Sequence, residues 1–138
     1  MSAREKNYSL HDLGKYADLG AKEFDGAKGR FMLGKALGLT GCEVSINSTP
    51  AGGFAPFVHS HKMNEEVYII VSGTGMFYVD GEEFPIREGS LIRVAPNGKR
   101  AIKAADPLVY ICIQANQGSL KQATMEDGVL NEEKASWM

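Results

Sequence analysis

From Gly41 to Gly118 the chain is a succession of short apolar, β-branched and aromatic runs, and turn-forming residues stand between one run and the next. Nothing else in the sequence narrows the fold as much. Short runs at this close spacing are the pattern of a β-sandwich or barrel. Strands are expected at residues 42–47, 57–61, 66–71, 75–80, 82–86, 91–94, 100–104 and 108–115. The punctuation between them is specific. Pro50-Ala51-Gly52-Gly53 reads as a loop and Ser72-Gly73-Thr74-Gly75 as a turn. Asp80-Gly81 is a hairpin signal, because glycine accepts the positive φ of a type I′ turn. Pro96-Asn97-Gly98 reads as another tight turn.

The flanks differ from this body. Residues 1–40 are interrupted by Gly14, Gly20, Gly26, Gly29, Gly34 and Gly38, which disfavours long helices there. One short helical or extended piece is expected over 30–37, and the whole segment is expected to pack on the barrel of residues 41–118. Residues 119–138 form a polar, acidic tail, either loose or a strap that docks Trp137 on the body. A length of 138 residues fits one domain and leaves no room for a second barrel. With 43% hydrophobic and 23% charged residues, disordered and disulfide-scaffold classes are excluded.

Charge and cysteine usage bound the partners. The net charge is −2 and the basic residues are scattered, so no nucleic acid and no membrane partner is expected. Cys42 and Cys112 sit 70 positions apart in hydrophobic surroundings, which reads as buried free thiols in a reducing compartment. Residues 1–12 are polar and offer no signal-peptide core, and no window is apolar enough to span a bilayer. A cytoplasmic protein is the expectation. The runs at 67–71 and 108–113 are apolar on both faces, whereas a strand facing water should alternate. Their outer face is therefore expected to be covered by another sheet or a second subunit, the latter giving a homodimer.

The chemistry concentrates at His59, His61 and Glu66. On a strand, residues two apart point to the same face, so both imidazoles point one way, with Phe57 beside them. A turn over 62–65 would let the next strand run back antiparallel and carry Glu66 to the histidines. Two imidazoles and a carboxylate converging in a barrel are a plausible divalent-metal site. A His-x-His pair alone is weak ground for a metal, but its setting is not ordinary. Gly53, five residues, His59-Ser60-His61, four residues, Glu66, six residues, Gly73 resembles in full the first motif of the cupin superfamily, over 21 residues. Gly89 to Arg100 resembles the second motif, with one extra residue before Gly98 and the turn altered to Pro96-Asn97-Gly98.

The resemblance implies an all-β fold, a single cupin or double-stranded β-helix (jelly-roll) barrel of two antiparallel sheets. It implies a binding cavity in the barrel mouth and a divalent transition metal such as Fe, Mn, Zn or Ni. One departure matters. The second motif normally supplies a further histidine, and the aligned position here is Arg100 or, counted from Gly98, Ala101. Two readings follow. In one, His59, His61 and Glu66 hold the metal alone or with Gln114, Cys112 or water, and the protein is a small-molecule metalloenzyme of oxygenase or isomerase type. Arg100 then clamps the anionic group of the substrate, with Tyr68 and Gln114 as further substrate contacts. In the other, no metal is bound, Arg100 pairs with Glu66, and the cavity is a non-catalytic sugar- or carboxylate-binding module. Strand alternation turns Arg100 toward the cavity in either case, since Lys103 belongs to the opposite face.

Overall fold

The structure is a computed structural model and describes residues 6–122 and 124–138. Residues 1–5 of the N-terminal segment and Ala123 of the tail lie outside the described residues. After a 3-10 turn at Tyr16–Ala21, β1 (Glu23–Phe24) and β2 (Ala27–Lys28) form a small hairpin. β3 (Arg30–Met32) then leads into one helical turn, α1 (Leu33–Leu37). The barrel strands are β4 (Glu43–Thr49), β5 (Asn64–Ser72), β6 (Thr74–Val79), β7 (Glu82–Arg87), β8 (Leu91–Val94), β9 (Arg100–Ala104) and β10 (Leu108–Asn116). A short helix, α2 (Thr124–Asp127), lies in the tail.

The strands form two antiparallel sheets, one in the order β3-β4-β10-β5-β8 and one in the order β7-β6-β9. Their inward residues change character along the barrel. One end is filled by Ile70, Phe77, Ile86, Ala104 and Leu108, all buried. Burying each of the large ones stabilises the fold by roughly 1.5–3 kcal/mol. Toward the other end the same strands turn polar: β5 runs from Ile70 through Tyr68 to Glu66, and β9 from Ala104 through Ile102 to Arg100. The barrel is thus plugged at one end and polar at the other.

Turn chemistry sets the register. Asp80 and Gly81 have φ of 48° and 89°, the paired positive values of a type I′ turn, and Val79 faces Glu82 across the hairpin. Gly73, at φ 90°, passes so close to the Pro107 carbonyl that a Cβ would collide with it.

One expected strand is absent. Residues 57–61 do not form a regular strand. Phe54 bridges Lys103 and His59 bridges Arg100, so five steps along one chain oppose three along the other and the segment between bulges. Pro56, which has no N–H to give to a ladder, lies inside that bulge.

Part of the outer face of the larger sheet is covered by residues of the N-terminal segment. Leu19 and Phe31 pack on Ile46, joined by Leu13, Phe24, Leu33, Ala36 and Ile111. This second cluster accounts for the outward apolar residues at Ile46 and Ile111. Val67, Ile69 and Ile113 are only half-buried, and Leu91 is exposed. Trp137 is 83% exposed, so it is not docked on the barrel. No helix among the described residues is long and apolar enough to cross a membrane.

Candidate functional site

Glu66 lies on β5 with its side chain 4% exposed, facing the polar end of the barrel. The histidines reach it from the other sheet. His59 is hydrogen-bonded on both sides of its bridge to Arg100, at 3.1 and 2.9 Å, and this holds the irregular segment on the edge of β9. The Asn97 N–H donates to the His61 carbonyl at 2.7 Å, so the 95–98 turn fixes the second histidine. The expectation that Glu66 sits on a strand hairpinned to the histidines is therefore corrected. β5 pairs with β10 and β8, and carboxylate and imidazoles meet across the barrel.

The meeting is close. His61 Nε2 is 3.2 Å and His59 Nε2 3.9 Å from Glu66 Oε1. One donor atom from each of the three residues lies within 4.8 Å of the other two, so this set could hold a metal ion. Tyr68 donates to Oε1 at 3.2 Å, and the Cys112 thiol donates to Oε2 at 2.9 Å. Burial, followed by the Cys112 and Glu66 charges, pushes the Tyr68 pKa far up. Burial, then the hydrogen bond to Glu66, does the same to Cys112. Both groups therefore keep their protons and remain donors to the carboxylate. Burial holds the His59 pKa below the ordinary histidine value; Glu66 opposes this, while Arg100, His61 and Arg30 add to it. A neutral imidazole is the form that binds metal.

Arg100 is 1% exposed and turned inward. Its Nη1 is 3.5 Å from Glu66 Oε1, near enough for charge attraction, yet Nε, Nη1 and Nη2 find no hydrogen-bond acceptor in the protein. Gln114 faces Glu66 in the β5–β10 register, and Asn64 donates to its carbonyl oxygen at 2.9 Å. Tyr68 and Gln114 line the same cavity of about 430 Å³ as Arg100, His59, His61 and Glu66.

The sequence reading missed four polar lining residues: Arg30, Ser45, Asn47 and Tyr110. Ser45 and Asn47 alternate with Val44 and Ile46, a signal normally read as polar side out. On β4 the rule is reversed, because the N-terminal segment covers Ile46 while Ser45 and Asn47 face the cavity.

Known proteins share this architecture. The cupin domain family model matches residues 47–114. A solved cupin protein from Bacteroides fragilis is 44% identical, covering 91% of this chain and 98% of its own, with a TM-score of 0.79. A structure from Acidithiobacillus ferrooxidans shares the fold at 22% identity and TM-score 0.58, over 63% of this chain and 58% of that one. Among curated proteins, one from Methanocaldococcus jannaschii is 31% identical over 62 residues, 44% of this chain; the match spans half of that relative's length.

Proposed function

This chain belongs to the cupin superfamily, and we propose that it is a metal-dependent cupin in which His59, His61 and Glu66 hold one divalent transition ion, of Fe, Mn, Zn or Ni. The observation that carries the reading is the convergence of two imidazole nitrogens and a buried carboxylate oxygen within 4.8 Å. Ligands bonded at about 2.0–2.2 Å to one ion stand about 3 Å from their neighbours, and the His61–Glu66 separation of 3.2 Å already has that value.

Two histidines and one carboxylate leave coordination positions open to a substrate. When bound, the ion supplies Lewis acidity or oxygen activation, which fits a small-molecule metalloenzyme of oxygenase or isomerase type. The chain's own residues do the rest. Tyr68 and Cys112 hold the Glu66 carboxylate by one oxygen each. Arg100 faces the cavity with its hydrogen-bond donors unmatched and orients an anionic group of the ligand. Gln114 has its carbonyl engaged by Asn64, which turns its amide N–H groups to a ligand.

A second reading has its own observation. Arg100 lies 3.5 Å from Glu66, and without an ion that pair would make the cavity a metal-free sugar- or carboxylate-binding module. Elemental analysis separates the two. Protein purified from metal-supplemented medium is expected to carry about one equivalent of a transition metal, and changing His59 and His61 together to Ala is expected to abolish it. Trace metal only, in the unaltered protein, would remove the metal reading and leave the paired one.

A further inference from the structure

We infer that the pocket is a receptor for a small dicarboxylate, with Arg100 taking one carboxylate at the floor and Arg30 the other at the rim. The inference rests on the reading above in taking the same cavity as the binding site, but it is carried by different atoms.

Arg100 is the starting point. A guanidinium stays charged at any physiological pH and presents five N–H donors in a planar fork. Burying such donors without acceptors is costly. Yet Arg100 is 1% exposed and none of its three nitrogens has a hydrogen-bond acceptor in the protein. The nearest carboxylate oxygen, Glu66 Oε1, is 3.5 Å away and is already approached at 3.2 Å by both His61 and Tyr68. The fork is thus aimed into a cavity with its donors unmatched, and it suits the two oxygens of a carboxylate.

Arg30 is the second point. It lies on β3, at the edge of the larger sheet, where it pairs with Asn47, and it is exposed while lining the same cavity. Among the described residues lining the cavity, Glu66 is the only acidic one. Two fixed guanidinium charges therefore face one carboxylate, and an ion drawing on Glu66 would widen the excess. Uncompensated positive charge in a partly dry cavity selects an anion.

The placement of the two forks argues for two anionic groups rather than one phosphate. A phosphate asks for donors converging on a point. Here one fork is buried on β9 and the other is exposed on the opposite sheet, with Ala55, Phe57 and Ile102 also in the wall. One carboxylate for each fork matches that arrangement.

Calorimetric titration of the whole protein tests this, using succinate, butyrate, the neutral diamide succinamide and inorganic phosphate as probes. Succinate is expected to bind about tenfold or more tighter than butyrate, and succinamide not to compete. Arg30→Gln, a change at an exposed position, is expected to bring succinate down to the level of butyrate while weakening butyrate far less. Arg100→Lys, checked for folding by circular dichroism, is expected to weaken both acids. Equal binding of succinate and butyrate, tighter binding of phosphate, or an Arg30→Gln variant with unaltered succinate affinity would each overturn the inference. Metal content is measured on the same samples. Full metal with no carboxylate binding overturns this inference and leaves the metal site standing; succinate bound by protein that takes up no metal supports it and removes the metal.

Discussion

Around Oε1 of Glu66 stand His61 and Tyr68 at 3.2 Å, Arg100 at 3.5 Å and His59 at 3.9 Å, while Cys112 occupies Oε2. A single buried carboxylate therefore organises the polar end of the barrel, and removing it would take away the counter-charge that Arg100 has among the described residues. The same crowding shapes the response to pH. His59 is harder to protonate in the folded protein than in the unfolded chain, because of its partial burial. Below its ordinary value of 6.5 the unfolded chain takes up this proton first. Stability should fall as pH drops from about 6.5 toward the lowered folded value, then level off. Thermal midpoints of metal-free protein across that window should show this decline, and His59→Gln should flatten it. A slope unchanged by the substitution would mean that His59 is not its source.

The connections between strands carry and hold both histidines of the site. In the 95–98 turn Pro96 stands at the second position and Asn97 at the third with φ 71°, closed by the Gly98 N–H to the Ala95 carbonyl at 3.1 Å. This is the type II pattern, and its Asn97 N–H holds the His61 carbonyl. Alanine is poorly suited to a positive φ, so Asn97→Ala should cost about 1 kcal/mol in urea unfolding, whereas Asn97→Gly should stay within about 0.5 kcal/mol. Equal stability of the two variants would contradict this account of the turn. Turn chemistry was also what the sequence disclosed best. Asp80-Gly81 adopts the conformation its residue types demand, and the strands at 91–94 and 100–104 have the bounds read from the sequence. The spacing of His59, His61 and Glu66 identified residues that do converge, although by a route across the barrel instead of along a hairpin. Arg30 was not legible, because what brings it to the cavity is β3 pairing with β4, and a three-residue strand bounded by glycine and a helical turn leaves no periodic trace.

The molecule as a whole is asymmetric in its coverings. The N-terminal segment shields Ile46 and Ile111, but Val67, Ile69 and Ile113 are half-buried and Leu91 is 71% exposed on the same sheet. Apolar surface of this kind favours association, and we propose a homodimer through this face. Size-exclusion chromatography with light scattering should give twice the monomer mass, and monomer alone at micromolar concentration would reject it. The plug of Ile70, Phe77, Ile86, Ala104 and Leu108 has a separate consequence. With that end shut, the cavity does not run through the barrel. A guest that enters at the polar mouth therefore has no way out through the packed core.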